Sequence, residues 1–133
     1  MEELSTELTM LVASAMWCIA LTGPLMVGRS MTPGGIGWGL GNREEPFNGP
    51  AWIGRAQRAH MNMVENLAPF AVLVLILHVL GRTSDLTALC TVVFLGARVA
   101  HSAFYIAGLV PWRTVAHTVS VGATVTLAVS LFL

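Results

Sequence analysis

Four apolar stretches, each about as long as a bilayer is thick, dominate the sequence. A helix that crosses about 30 Å of hydrocarbon needs about 20 mostly apolar residues, because only hydrogen bonds within the segment satisfy its backbone in lipid. Stretches at about residues 4–27, 50–80, 86–109 and 112–133 meet this requirement. Apolar types make up 55% of the chain and charged types 11%, which is too few charges to cover a soluble globule. The sequence predicts an all-α integral membrane four-helix bundle, with residues 1–133 as a single transmembrane domain.

The first apolar stretch and the segment that follows it contain most of the glycines and half of the prolines. Gly23-Pro24 interrupts the stretch, and membrane helices tolerate such a pair as a kink. Residues 28–49 include a run of alternating glycines. A phosphate-binding loop needs a strand before such a run and Lys-Ser/Thr after it, and neither is present. We expect an irregular loop here, with Trp38 at the membrane interface.

The arginines are distributed unevenly between the two ends of the predicted bundle. Cytoplasmic loops carry the excess of Lys and Arg in multi-pass membrane proteins. The first and third loops carry Arg29, Arg43, Arg55, Arg58 and Arg113, whereas the opposite side carries Arg82 and the acidic Glu2, Glu3 and Glu7. We therefore expect both termini to lie outside the cytoplasm. The acidic start lacks the positive region of a signal peptide, so the first stretch should remain as a membrane helix.

Several functional classes have little support in the sequence. The formal net charge is zero, and a nucleic-acid partner would require a basic patch or stripe. Cys18 and Cys90 each lie inside an apolar run and are interpreted as packing residues. His60, His78 and His117 lack the clustered spacing of metal ligands, so no metal site is predicted.

Two polar stripes cross the second and third predicted helices. A charge at the centre of a membrane helix costs about 2.5–3.5 kcal/mol on insertion scales, so each needs a partner. The second helix has members at spacings i, i+4 and i+7, and the third at i, i+3 and i+7, which places each set on one helical face. The stripes are Arg58, Asn62 and Glu65, and Arg98, His101 and Tyr105. Helix directions put both at a similar depth, near the start of the fourth helix.

The charges in these stripes allow two interpretations. Glu65 and Arg98 could form an internal salt bridge that holds the bundle or an oligomer together without chemistry. However, Arg55, Arg58 and Arg113 add to Arg98, so several arginines face a single carboxylate. Arginine's planar fork suits carboxylate or phosphate. The excess of cations indicates an anionic ligand or lipid headgroup.

The same residues carry a family resemblance. Residues 55–66, RAQRAHMNMVEN, and residues 98–105, RVAHSAFY, resemble the MAPEG family, the membrane-associated proteins in eicosanoid and glutathione metabolism. Within that family they are most similar to the microsomal prostaglandin E synthases. The motif resemblance covers about residues 50–133, and the four-helix layout extends it to the whole chain.

The resemblance implies a homotrimer of four-helix subunits that binds glutathione between neighbouring subunits, near the cytoplasmic face. For a bacterial-type member of the family, the expected location is the inner membrane. Arg113 and Thr114 stand where the family has an Arg-Ser pair and would act catalytically, by holding the glutathione thiolate, while Met61 replaces a further arginine that contacts glutathione. The residues that the motifs assign to glutathione are Arg58, Asn62, Glu65, Arg98, His101 and Tyr105.

Three functions are compatible with these features. The leading hypothesis is a glutathione-dependent membrane transferase or peroxidase that acts on a lipophilic electrophile from the bilayer. The first alternative is a non-catalytic membrane scaffold that binds an anionic lipid headgroup at the same site. The second is a small transporter or proton relay that uses Glu65, Arg98 and His101, although the sequence lacks the internal repeat of many transporters.

Overall fold

The computed structural model describes residues 4–133, which form helices and connecting loops without strands. Glu2 and Glu3, part of the acidic N-terminus, lie outside the described residues. The helices are α1 (Thr6–Ala20), α2 (Thr22–Ser30), α3 (Gly35–Leu40), α4 (Ala51–Val79), α5 (Asp85–Ala107) and α6 (Val110–Ser130).

Three helical segments are long and apolar enough to cross a membrane. They are Thr6–Ser30, which joins α1 and α2, Ala51–Val79 and Asp85–Ala107. The predicted membrane character is therefore confirmed for these three. Helix α6 is of similar length and packs along α5, but Arg113, His117 and many hydroxyl residues make it more polar. A fourth crossing stays a prediction.

Hydrogen bonds at both ends of the bundle establish that α4, α5 and α6 alternate in direction. At one end, Arg55 Nε near the start of α4 donates to the Ile106 carbonyl near the end of α5, at 2.8 Å. At the other end, Arg82 Nη1 before α5 donates to the Leu131 carbonyl after α6, at 2.6 Å. We call the first the loop end, because it carries α3 and the long connection between α2 and α4, and the second the terminal end.

The break between α1 and α2 lies next to the predicted kink. Helix α1 ends at Ala20 and α2 begins at Thr22. Pro24 has no N–H with which to bond the carbonyl four residues earlier, so the helical ladder is interrupted in this turn. In the same turn, the Thr22 hydroxyl donates to the Ile19 carbonyl at 2.7 Å.

The main core lies between α1, α4, α5 and α6. The rings of Phe70 on α4 and Phe94 on α5 stack with centroids 3.7 Å apart at its centre. Cys90 is buried in this core and Cys18 packs against it. Both thiols are free, and both cysteines pack in the core as the sequence predicted.

The glycine-rich segment is more ordered than an irregular loop. Residues Gly35–Leu40 form the short helix α3, so the prediction of an irregular loop is wrong there. The Arg29 guanidinium lies 4.9 Å from the centroid of the Trp38 ring and 5.8 Å from that of Phe47, and Trp38 Nε1 donates to the Glu45 carbonyl at 2.7 Å. These tertiary contacts stabilise a segment whose glycines have low helix propensity.

Candidate functional site

A cavity of about 170 Å³ lies where α4, α5 and α6 meet towards the loop end. Five of the eight residues that the sequence assigned to the site line it, and His117 is the sixth lining residue. The lining residues are Asn62, His101, Tyr105, Arg113, Thr114 and His117. The structure therefore brings together one member of the α4 stripe, two of the α5 stripe and the Arg-Thr pair of α6.

Arg98 is fully buried next to this cavity. Its Nη2 donates to Asn62 Oδ1 at 2.6 Å and contacts His101 Nδ1 at 3.4 Å. Its Nη1 donates to Ser120 Oγ at 3.3 Å and contacts His117 Nδ1 at 3.4 Å. None of these partners is a carboxylate. Arg98 Nε is buried and has no hydrogen-bond partner among the described residues.

Arg113 and Thr114 lie early in α6, on the wall of the cavity. The Arg113 guanidinium lies 4.4 Å from the centroid of the Tyr105 ring, which fixes its position by a cation–π contact. The exposed Thr114 hydroxyl donates to the Val110 carbonyl at 3.2 Å. The N-terminus of a helix carries a partial positive charge, so this wall is electropositive.

Arg58 and Glu65 do not line the cavity. Both are exposed on the outer face of α4, whereas Asn62 is half-buried and faces Arg98. The hydrogen bonds of the Arg98 guanidinium all go to other residues, so the predicted Glu65–Arg98 salt bridge is not formed. The transporter or proton-relay alternative used Glu65 together with Arg98 and His101, but Glu65 is exposed and does not bond to Arg98.

The rotation of α4 about its own axis explains this difference. At about 100° per residue, Arg58, Asn62 and Glu65 span an arc of about 60°, with Asn62 at one edge. The buried face of α4, which includes Ala59 and Met63, continues on the Asn62 side. The spacing places the three on one face, but the packing buries only the edge of that face.

The remaining arginines do not converge on the cavity either. Arg55 donates to the Ile106 carbonyl. Arg58 lines a larger groove of about 630 Å³ beside the long loop, together with Arg43, Glu44 and Glu45 among others. The predicted cluster of arginines is therefore reduced to Arg98 and Arg113 within one chain.

His117 is a site residue that the sequence reasoning missed. It was interpreted as an isolated histidine, yet it lines the cavity and its ring centroid lies 5.8 Å from that of His101. It follows Arg113 by four residues and precedes Ser120 by three. This spacing puts all three on one face of α6 and was a signal that could have identified it. Within residues 4–133, no group of three or more His, Cys, Asp or Glu residues could hold a metal ion.

Comparison with known proteins identifies one family. The model of the MAPEG family matches residues 6–133, which is nearly the whole chain. No curated protein and no solved structure gives a significant match.

Proposed function

Because the chain belongs to the MAPEG family, we propose that it is a glutathione-dependent membrane transferase or peroxidase that acts on a lipophilic electrophile. The observation that carries this proposal is the cavity between α4, α5 and α6. Arg113 and Thr114 line it and Arg98 is buried beside it, while the six lining residues include no carboxylate. Such a cavity favours an anion.

The thiolate of glutathione is the anion that the Arg113 side of the cavity suits. A free thiol has a pKa of about 8.5, and a neighbouring arginine or helix N-terminus favours the thiolate. Arg113 and the N-terminus of α6 supply both effects on the same wall. The Thr114 hydroxyl is exposed beside them as a further polar group. These two residues are the proposed catalytic residues.

Glutathione is too large for the cavity of one chain. Pockets that enclose drug-sized ligands measure about 300–1,000 Å³, against about 170 Å³ here. We propose that the thiol enters the cavity and that the rest of the tripeptide lies along the outer face of α4. There the exposed Arg58 and Glu65 match a carboxylate and the ammonium of glutathione.

A neighbouring copy of the chain would complete this site. Exposed charges on a membrane helix are costly unless they are covered or paired, and Arg58 and Glu65 lie on such a face. A homotrimer with glutathione between subunits, as the family resemblance implies, would cover them. Met61 is exposed on the same face where the resemblance implies an arginine, so this chain offers one cation fewer to the ligand.

The surroundings of the cavity support a lipophilic second substrate. Leu109, Val110, Trp112 and Val115, near the start of α6, expose large apolar side chains close to Arg113. In a bilayer this apolar surface faces lipid, so an electrophile dissolved in the membrane can approach the thiolate without crossing water.

Turnover of generic electrophiles tests this function. Purified protein with glutathione should conjugate a lipophilic haloarene or reduce a lipid hydroperoxide. Arg113→Ala should lower kcat/KM about 100-fold, as removal of one preorganised donor typically does. Arg82→Ala, at the terminal end, serves as a control with unchanged activity. Absence of turnover by the wild type on either class, or equal rates for Arg113→Ala, would refute the enzymatic proposal.

A non-catalytic membrane scaffold is the second candidate. The same electropositive wall next to exposed Trp112 and Val115 suits the headgroup of an anionic lipid whose chains lie on the apolar surface. Native mass spectrometry that shows a retained anionic lipid, lost in Arg113→Ala and not displaced by glutathione, would favour this candidate over the enzyme.

We further propose that the loop end faces the cytoplasm, in a bacterial inner membrane. The arginine-rich α2–α4 connection lies at this end, in agreement with the positive-inside rule. Single cysteines introduced at Arg43 and at Thr83, in a background without Cys18 and Cys90, should react with an impermeant maleimide from opposite sides of oriented vesicles. Labelling of Arg43→Cys from the side that corresponds to the outside of the cell would show that the orientation is the reverse of the one proposed.

A further inference from the structure

The hydrogen bonds of Arg98 determine which atoms its neighbours have left to offer. A guanidinium has donors only and never accepts a hydrogen bond. Each neutral side chain that meets the Arg98 guanidinium must therefore use an acceptor atom. Asn62 uses Oδ1, at 2.6 Å, and His101 and His117 each use Nδ1, at 3.4 Å.

This constraint fixes the tautomer of both imidazoles. A ring nitrogen that accepts a hydrogen bond carries no proton, and a neutral imidazole then carries its proton on the other nitrogen. With Nδ1 facing Arg98, both rings carry the proton on Nε2. A doubly protonated imidazolium would place an N–H of His101 or His117 against an N–H of Arg98.

Positive and neutral groups surround the two rings. Arg98 on α5 and Arg113 on α6 are the cations that face them, while α4 contributes the neutral amide of Asn62 and α5 the neutral phenol of Tyr105. The lining of the cavity contains no carboxylate.

We infer that Arg98 is a positioning residue that turns Asn62, His101 and His117 into hydrogen-bond donors towards the cavity. Each of the three can in principle donate and accept. Arg98 occupies the acceptor of each, so the Asn62 amide N–H₂ and the two Nε2–H groups remain for a ligand in the cavity. The cavity then selects an anionic atom and rejects a cation.

The assignment of this anion to the sulfur of glutathione rests on the proposed function, whereas the tautomers do not. The Nε2–H donors also give the two histidines a role in the reaction. When the thiol loses its proton to water, the charge that remains on sulfur is stabilised by Arg113 and by the Nε2–H donors. Neither imidazole takes up the thiol proton, because neither has a free acceptor nitrogen.

Nitrogen NMR of the wild-type protein labelled with ¹⁵N-histidine tests the inference directly. Assignment uses His101→Asn and His117→Asn, and the exposed His78 provides a reference signal. At about pH 8, above the range in which ordinary histidines take up a proton, both site histidines should show an unprotonated Nδ1 and a protonated Nε2. A proton on Nδ1 of either ring at this pH would overturn the inference.

Arg98→Lys separates the effect of the fork from that of positive charge alone. A lysine ammonium lacks the planar fork that reaches several acceptors at once, so at least one ring should change tautomer or become a mixture of the two tautomers. If both rings keep the wild-type pattern in a folded variant, the inference fails. If the variant does not fold, the wild-type spectra decide alone.

Addition of glutathione to the same sample distinguishes the inference from the proposed function. If the inference and the proposed function are both correct, glutathione shifts the Nε2 signals of His101 and His117 and leaves their tautomers unchanged. If the tautomers are as inferred but the Nε2 signals do not respond to glutathione, the proposed function is refuted and the inference is not. A response to glutathione from rings protonated at Nδ1 would refute the inference alone.

Discussion

At the scale of single residues, Arg98 is the most demanding side chain in the molecule. A charge near the centre of a membrane helix costs about 2.5–3.5 kcal/mol on insertion scales, and Arg98 is fully buried with no carboxylate among its partners. Four neutral side chains offset part of this cost by hydrogen bonding. A bound anion would offset more of this cost, so the free energy of burying Arg98 depends on whether the ligand is bound.

Asn62→Asp is expected to stabilise the ligand-free protein. The substitution places a carboxylate at the position of Asn62 Oδ1, 2.6 Å from Arg98 Nη2. Hydrogen bonds that involve charged groups contribute about 1.5–3 kcal/mol, so the melting temperature in detergent should rise. Asn62→Ala, the matched control, should lower it. An Asn62→Asp variant that melts below the wild type would contradict this account of Arg98.

The residues of the site were predictable in part. The motifs predicted Arg113, Thr114, Asn62, His101 and Tyr105 as site residues, and all five line one cavity. The exposure of Glu65 was not predictable, because a spacing of three or four residues locates a face but not its rotation towards the core. That rotation is determined by packing around the whole of α4.

At the scale of elements, the close approach of α2 to α4 depends on Gly28. A Cβ at this position would lie 2.5 Å from Trp52 Cη2 and 2.9 Å from Ile53 Cγ1. This contact holds the α2–α4 connection against the loop end of the bundle.

Gly28→Ala should therefore destabilise the protein, by about 1–3 kcal/mol, as overpacking typically does. Gly23→Ala is the matched control in the same helix, since a Cβ there meets nothing within 4 Å. Thermal unfolding in detergent compares the two variants. Equal melting temperatures would show that α2 does not pack on α4 as described.

A second contact between elements lies at the terminal end. Glu7 of α1 is buried, and its Oε1 accepts from the Thr87 hydroxyl of α5 at 2.6 Å. The same hydroxyl oxygen accepts from the Ser84 N–H at 2.7 Å, as part of the capping box that starts α5. Thr87 thus joins the start of α5 to α1.

Thr87→Val should lower the free energy of unfolding by about 1–3 kcal/mol, because it leaves a buried carboxylate and a backbone N–H without a partner. Thr91→Val is the control: Thr91 is equally buried, but its hydroxyl bonds only to the Ala88 carbonyl of its own helix. If Thr91→Val proves as destabilising as Thr87→Val, the contact between Glu7 and Thr87 contributes little.

The elements themselves were largely predictable, because long apolar segments bounded by Gly and Pro have few alternatives in lipid. The exceptions have physical causes. The break in the first segment depends on which turn Pro24 interrupts, and α3 depends on the stacking of Arg29 with Trp38 and Phe47. Contacts between residues distant in sequence are not encoded in local periodicity.

At the scale of the whole molecule, we propose that one chain is part of a larger assembly. The cavity of one chain measures about 170 Å³, and the charged outer face of α4 lies beside it. Both features support the proposal that a second subunit completes the site.

Native mass spectrometry from a mild detergent should therefore detect three copies of the 14.2 kDa chain. Glu65→Lys, which reverses a charge on the outer face of α4, should weaken the trimer or its glutathione binding. Glu44→Lys, in the exposed loop, is the control for the change in charge alone. A monomer that binds glutathione at full affinity would contradict the shared site.

Glutathione binding to the purified protein, measured by titration calorimetry, tests the central claim most directly. We expect saturable binding to the wild type. The affinity should fall at least about 10-fold in Arg113→Ala, which corresponds to about 1.4 kcal/mol. Absence of heat with the wild type at millimolar glutathione, or equal affinity of Arg113→Ala, would contradict it.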